Sequence, residues 1–523
     1  MYSCPGCGSQ MIFDIPSQGL KCGRCDRQMS VSEADEKEAR RAGSSFAVDL
    51  LTCPSCGAGI RAMNAAAAAF CSYCGSSVML EKEDAELEPP ETLIPFQVTR
   101  EQCFEKFREL LKNSFCADHR LKNNISAESF RGIYVPYHTY KAGVEGTAQL
   151  DGSKTRGDTT YYYKTSVALN HHYEGILHDA SQEMPDAISE EISINAEARA
   201  KTVPFSPAYL SGFFADNSDT DPDLYLNYAK AEAIRKGLED TLPALREDEL
   251  HYSSSAAEKA LMPKAYAEYS GDTMLPVWFM SLRSGKRVLY AVQNAVTGEM
   301  WADMPMDIPR FALVTLAIAV VLFFVFNTFL TLRPEMVMAA AMLLAIFAQA
   351  AVNGRRTRMR EKETAEAVIR GETVDVKDRM NKLKRLEKKV GRQQHGNVGK
   401  YVGALLAGAG SCAALSVLSR MDDARIFRFG SLLLVLVMAF LILPGRKRSR
   451  LPVGSVATFT AMVVGSGILI LDPFHSADTP VYLVTLAIMA GVVWECLDLL
   501  HLYNKSCSNA LPQFESHQGG EDL

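Results

Sequence analysis

Several things are missing from this 523-residue sequence, and each absence removes a class of function. No glycine-rich phosphate loop, no nucleophile elbow and no zincin helix occurs, so nucleotide hydrolysis, esterase-type and metalloprotease chemistry lack their usual constellations. The first residues hold no basic segment followed by an apolar stretch, so no secretory signal is expected. Net basic charge is lacking too: Lys+Arg number 55 against 61 Asp+Glu, a formal charge of -6. The deficit is uneven, about -13 over residues 1–306 and about +7 over the remainder. An acidic front half is not the footprint of a general nucleic-acid binder.

Cysteine is present, and it is concentrated. Of 13 cysteines, eight form four Cys-x2-Cys pairs within the first 74 residues. Cys4, Cys7, Cys22 and Cys25 make one Cys-x2-Cys-x14-Cys-x2-Cys unit; Cys53, Cys56, Cys71 and Cys74 repeat it 49 residues later. One tight turn can present two thiolates to a tetrahedral ion, and two such turns close a four-ligand zinc site. A redox dithiol is the competing reading of a single pair, but duplication at equal spacing favours zinc. All eight cysteines are therefore expected to be ligands of two structural Zn2+ ions. Gly8, Gly57 and Gly75 follow second cysteines, where the turn calls for positive φ, and Asp26 takes that place once. Cys103, Cys116, Cys412, Cys496 and Cys507 are scattered and carry no such pattern. Thiolate ligands need a reducing compartment, which places this part in the cytosol.

The predicted fold class is multidomain: two small zinc ribbons, a cytosolic α+β domain and an all-α transmembrane region of about six helices. The expected divisions are ribbon 1 over 1–30, a helical connector over 31–50, ribbon 2 over 51–80 and an acidic linker over 81–91. The α+β domain follows over 92–306, a transmembrane region over 307–506 and a cytosolic tail over 507–523. In the connector, Ser32 to Asp35 reads as a capping box opening a short helix that Gly43 stops. Arg100–Lys112 reads as a helix with Phe104, Phe107 and Leu111 on one face, and Asp223–Leu242 as another. Thr92–Phe96, Gly132–Tyr140, Thr160–Leu169, Met274–Ser281 and Arg287–Val296 read as strands, with a turn at Asn294–Gly298.

Apolar runs lie near 311–332, 336–352, 398–418, 429–443, 453–471 and 481–500. About 20 apolar residues cross a bilayer, and the fourth run is short. The intervening loop around 353–397 is basic: residues 353–400 hold 15 Lys/Arg against 7 Asp/Glu. Arg446 to Arg450 adds four basic residues. Six spans would put both basic loops and both termini on the cytosolic side of a bacterial inner membrane. The cluster Lys382 to Lys389 would draw anionic lipid by about 1 kcal/mol per residue, although a solvated helix serves equally as a topology signal. Gly403, Ala407 and Ser411, like Ala404, Gly408 and Cys412, fit close helix packing within the chain or between copies as a homo-oligomer.

Other patterns give no site. His171, His172 and His178 read as surface or packing residues, and Asp216–Asp223 lacks the glycine and closing glutamate of a calcium loop. Glu495 and Asp498 read as interfacial, solvated carboxylates at the end of the last span. Between the knuckles of ribbon 2, only Arg61 is charged and the tip is Ala65–Ala69 with Phe70, which suits protein contact better than phosphate. No residue is expected to be catalytic, and no enzyme activity is expected.

These residues resemble a bacterial family of membrane-bound proteins with a TFIIB-type zinc ribbon. The resemblance is carried by the knuckles and by Leu93-Ile-Pro-Phe96, Gly132-Ile-Tyr-Val-Pro-Tyr137, Phe205 to Phe214, Leu275-Pro-Val-Trp-Phe279 and Tyr290 to Gly298. It spans roughly residues 50–306. Members are sometimes labelled primosomal-helicase-like on the ribbon alone; no helicase ATP motif is present here. The resemblance implies a non-enzymatic membrane adaptor or scaffold, working with flotillin-like (SPFH) or phage-shock proteins in membrane organisation or envelope stress. The doubled ribbon and six spans depart from that pattern. Two other classes stay open: a membrane-tethered nucleic-acid-binding protein, and a transporter regulated by zinc ribbons.

Overall fold

The computed structural model describes residues 2–39, 46–62, 71, 73–76, 81–87, 89–114, 116–118, 121–122, 125–156, 159–181, 199–216, 218, 220–245, 251–284, 287–329, 334–369, 424–442, 453–471 and 478–510. The chain divides into two compact units. One takes in residues 1–113 and 122–303, and the other residues 114–121 and 304–510.

The first unit opens with a three-stranded antiparallel sheet, β1 (Met11–Asp14), β2 (Gly19–Cys22) and β3 (Gln28–Met29), followed by α1 (Val31–Ala39). The cap of α1 is Ser30 rather than the expected Ser32: its hydroxyl accepts the Glu33 N–H at 3.3 Å. Both serines can offer that oxygen, and the one immediately ahead of the helical Val31 is positioned to do so.

A larger sheet follows. Strands β4 (Phe46–Thr52), β5 (Gly59–Ala62) and β6 (Glu81–Leu87) surround the second pair of knuckles, with β4 antiparallel to both others. The segment expected to be an acidic linker thus forms a strand along Glu81–Leu87, in register from Thr52↔Glu81 to Phe46↔Leu87. Next come β7 (Thr92–Leu93) and α2 (Arg100–Asn113), which buries Cys103, Phe107 and Leu111. Two strands of unusual length pair as a hairpin, β8 (Arg131–Arg156) and β9 (Thr159–Asp179). Short β10 (Val203–Pro204) and β11 (Phe214–Ala215) precede α3 (Leu226–Leu245), β12 (His251–Tyr252) and α4 (Ser254–Leu261). The sheet is completed by β13 (Ala265–Ser284), antiparallel to β8, with β14 (Arg287–Asn294) and β15 (Met300–Ala302). Gly298 has φ +77°, and the Asn294 side chain accepts the N–H groups of Val296 and Thr297, closing the expected turn.

Helices α3 and α4 cover one end of the long strands. Ala229, Ala233, Ile234, Leu238, Ala257 and Leu261 bury against Tyr140, Val144, Leu150, Leu169 and Ile176. At the other end an aromatic cluster forms, with Phe96 stacked on Phe213 at 4.2 Å and edge-on to Tyr134 at 5.1 Å. The Trp278 indole N–H donates to the Val98 carbonyl at 2.8 Å. Beyond α4, the hairpin of β8 and β9 continues with Tyr161, Tyr162 and Tyr163 exposed.

The second unit is helical: α5 (Ile308–Phe329), α6 (Pro334–Ile369), α7 (Ala424–Ile442), α8 (Val453–Leu471) and α9 (Asp478–Ser506). Among the described residues, three stretches are long and apolar enough to cross a membrane: Pro334–Arg356, Val453–Leu471 and Asp478–Ser506. Of the six expected spans, those near 336–352, 453–471 and 481–500 are such helices among the described residues. The apolar parts of α5 and α7, Ile308–Ile318 and Gly430–Ile442, are shorter, and the run at 398–418 lies outside the described residues. Outside them too fall the Ala65–Ala69 tip with Phe70, the Lys382–Lys389 cluster and the small-residue ladder at 403–412. Met338, Met342, Met438, Met462, Ile488 and Val492 form the core of this unit.

Candidate metal centres

The structure brings each predicted cysteine quartet together. Within each group the four sulfurs lie within 4.8 Å of one another. No described cysteine is in a disulfide, so none of these approaches is an S–S bond.

All four knuckles are built alike. The N–H of the first cysteine donates to the carbonyl five residues on, from Cys4 to Ser9, Cys22 to Arg27, Cys53 to Ala58 and Cys71 to Ser76. The residue after the second cysteine donates back to the first cysteine's carbonyl at 2.8–3.0 Å. Those donors are Gly8, Asp26, Gly57 and Gly75, with φ of +71°, +55°, +79° and +65°. The turn demands a left-handed residue, which glycine supplies without steric cost and Asp tolerates.

In the first centre, Cys4 and Cys25 sulfurs are 3.5 Å apart, as are Cys7 and Cys22. The Gly6 N–H points at Cys4 Sγ from 3.4 Å and holds that thiol below its usual range. The Ser9 N–H, with help from Cys22, brings Cys7 down to about 6. Backbone donors aimed at sulfur favour the thiolate, the form a metal binds. Cys25 is exposed and Cys7 half-buried, so this centre sits at the surface. It is fastened to the large sheet by neighbouring residues: the Phe13 N–H donates to the Ser211 carbonyl at 2.9 Å, and its ring lies 5.2 Å from Tyr209. Asp35 of α1 accepts the hydroxyls of Tyr2 and Ser206 at 3.0 and 2.8 Å.

The second centre is a different environment. Cys53, Cys56, Cys71 and Cys74 are all at most 1 % exposed. They share one core with Leu51, Ile133, Val135, Leu275, Val277, Phe279 and Val292. The opposed sulfurs stand 3.8 Å apart, Cys53 to Cys74 and Cys56 to Cys71. That is the edge of a tetrahedron with metal–sulfur bonds of about 2.3 Å. Ser281 of β13 donates its hydroxyl to the Cys71 carbonyl at 3.3 Å, and a Cβ on Gly75 would lie 3.0 Å from the Arg283 nitrogen. Tyr73, between the last two cysteines, donates to Asp216 at 2.9 Å, and the Ser181 hydroxyl donates to the same carboxylate. The large sheet therefore encloses this centre. Strand pairing makes it continuous, since β11 runs antiparallel to β5 and parallel to β8.

One polar constellation has no local signature in the sequence. His138 on β8 is 2 % exposed, with Nδ1 2.7 Å from Asp272 Oδ1 and Nε2 3.0 Å from the Thr220 carbonyl. Burial pushes Asp272 up, but the hydrogen bonds from His138 and Tyr269 outweigh it and hold the carboxyl below its ordinary value. His171, His172 and His178 lie on β9, and among the described residues they form no shared ligand cluster: His178 stacks on Tyr225 at 3.6 Å, and His172 bonds the Tyr266 hydroxyl at 2.6 Å.

Two four-thiolate groups, either of which could hold a metal ion, in a sheet-rich unit, together with a unit of long apolar helices, define the class of protein. No family model matches the chain, and no solved structure matches it. It is similar to an uncharacterized protein of Bacillus subtilis, YdjG: 24% identical over 316 residues, covering 58% of this chain and 90% of that protein.

Proposed function

We propose that this is an integral membrane protein carrying two structural Zn2+ sites, a non-enzymatic adaptor or scaffold whose cytosolic domain docks protein partners. The observation that carries the zinc reading is the second centre: four mutually buried cysteines at tetrahedral spacing leave no open position for a substrate. Cys53, Cys56, Cys71 and Cys74 would hold one ion, and Cys4, Cys7, Cys22 and Cys25 the other. Four thiolates on a divalent ion make each site a net anion of about -2, which adds to the acidic balance of this half and disfavours phosphate. The three apolar helices support insertion in a bilayer, and the basic loops support a bacterial inner membrane with both termini in the cytosol. The resemblance to membrane-bound TFIIB-type zinc-ribbon proteins supports partners of the flotillin-like or phage-shock kind.

The docking surface best suited to a protein is the far end of the β8–β9 hairpin, where Tyr161, Tyr162 and Tyr163 are 49, 83 and 45 % exposed. Tyrosine offers large contact area with few rotamers to freeze. The buried second centre is unsuited to that role, because disturbing it disturbs the core. The test is an affinity pull-down of the full-length protein from gently solubilised membranes, beside a Y161S/Y162S/Y163S variant, with zinc counted in both. Two zinc ions per chain and flotillin-like or phage-shock partners that the variant loses would support the reading. A metal count of zero refutes the zinc centres, and an identical empty partner list refutes the adaptor.

A further inference from the structure

The helical unit holds a carboxyl group where a carboxyl group is expensive. Glu495, on α9, is 1 % exposed, and neither of its oxygens has a hydrogen-bond partner. The sequence places it near the end of an apolar run, where solvation by the interface is the natural expectation. The packing denies it that solvation. Helices α8 and α9 run antiparallel and close together, because glycine faces a side chain at successive levels: Gly491 against Thr458, and Gly454 against Trp494. Glu495 follows Gly491 by one helical turn and Trp494 by one residue, so it lies at the level of Gly454, Ser455 and Thr458.

The chemistry of those neighbours selects what the carboxyl can be. Thr458 is fully buried beside Glu495, and its hydroxyl proton is already given to the Gly454 carbonyl at 2.9 Å. Its oxygen can therefore only accept from the carboxyl. Ser455 is 1 % exposed, and its hydroxyl oxygen also has no partner. Among the described residues, the charged groups facing Glu495 are Asp498, one turn further along α9, and Arg356 on α6, with the titratable Cys496 thiol next along α9. Arg356 is engaged with Asp498, at 3.7 Å, and both are partly exposed. An ionised Glu495 would meet an acceptor, a like charge and an arginine committed elsewhere. A bare carboxylate so enclosed is costly, whereas a neutral one has a donor to offer Thr458.

We propose that Glu495 is a proton-binding site enclosed by α6, α8 and α9, holding its proton while the helices are packed as seen and releasing it to water when they part toward the Arg356–Asp498 rim. The enclosure is made by protein on the described faces, so the inference rests on this helix packing and not on the adaptor reading. An ionisable residue inside an apolar bundle is the usual mark of a proton or ion path, and it gives the membrane region a task of its own.

The experiment uses the full-length protein in detergent micelles and dicyclohexylcarbodiimide, an apolar reagent that adds to protonated carboxyls. Peptide mass spectrometry should find the adduct on Glu495 at neutral pH, and E495Q should lose it. Labelling should fall severalfold as pH is raised and stay unchanged when sodium is added at fixed pH. An infrared C=O band of a protonated carboxyl should accompany it in the parent and vanish on alkalinisation. Sodium protection at fixed pH would replace the proton by a metal cation and overturn the proposal. So would the absence of the adduct and of the infrared band. If E495Q does not fold, the mapped adduct and band of the parent still decide. Bilayer insertion is read separately by carbonate extraction, so its failure would not be mistaken for failure of the proton site.

Discussion

Replacing one ligand of the second centre should unfold the first unit, whereas the same change in the first centre should not. Cys56→Ser removes one of four thiolates that are each at most 1 % exposed and leaves three others in an apolar core. Structural zinc supplies roughly 10–16 kcal/mol of folding energy in zinc-finger peptides, and domains are stable by only about 5–15 kcal/mol. Even partial loss of that binding energy is comparable to the whole stability. Three thiols stranded beside Leu51, Val277 and Phe279 add desolvation cost. Cys25→Ser acts at an exposed sulfur, so its effect should stop at β1, β2, β3 and α1. Trp278, 2 % exposed, reports on the core. Purified full-length C56S should show red-shifted tryptophan emission and no cooperative unfolding of this unit, while C25S keeps the parental emission and binds one zinc instead of two. A C56S protein with parental emission and an unchanged thermal transition would refute the argument that this centre is part of the core.

Other outcomes follow from the same geometry. A Cβ on Gly143 would collide with the His171 carbonyl across the β8–β9 pair, and a backbone atom cannot swing aside, so G143A should cost about 1–3 kcal/mol in thermal or denaturant unfolding. Gly57 has φ +79°, so G57A should cost about 1–2 kcal/mol, whereas D26G, at the equivalent place in the first centre, should leave stability unchanged or higher. Asp272 is held below its ordinary value, so its contribution is present above the unfolded carboxylate pKa near 4 and is lost as pH falls through the lower folded value. The unfolding midpoint of D272N should therefore sit below the parent's at neutral pH and converge with it in acid. Phe13→Ala should free the first ribbon from Tyr209 and Phe213 and speed zinc loss from that centre to a chelator, leaving the second centre's loss rate unchanged.

Local chemistry was legible in the sequence and long-range association was not. The four knuckles could be read down to the left-handed position, because cysteine spacing and the following glycine are short-range signals. The placement of the second quartet could not, because it depends on β11 pairing with β5 from about 150 residues away. Glu81–Leu87 looked like a linker since acidic composition hides a strand when the partner strand is unknown. The core segments of β8 and β9 were visible as Gly132–Tyr140 and Thr160–Leu169; the alternation of Ala142, Val144, Ala148 and Leu150 continues β8 beyond Tyr140, but glycines and small residues weaken it, so the 26- and 21-residue extents were not read. His138 stood alone in a tyrosine-rich strand, and nothing local tied it to Asp272. Glu495 was misjudged for a similar reason: its place near the end of the apolar run suggested water, and the packing of α8 against α9 that excludes water cannot be read from α9 alone.

The second quartet also sets a timetable. Its last ligand, Cys74, leaves the ribosome some 200 residues before Val277, Phe279 and Val292, the strands that will enclose it. At roughly 5–20 residues per second, that interval is on the order of 10–40 s. During it the quartet could load a metal ion through an open face, and once β13 and β14 close over it such an ion would have no exit short of unfolding. Metal supply during translation, rather than affinity in the finished protein, would then decide how many molecules fold.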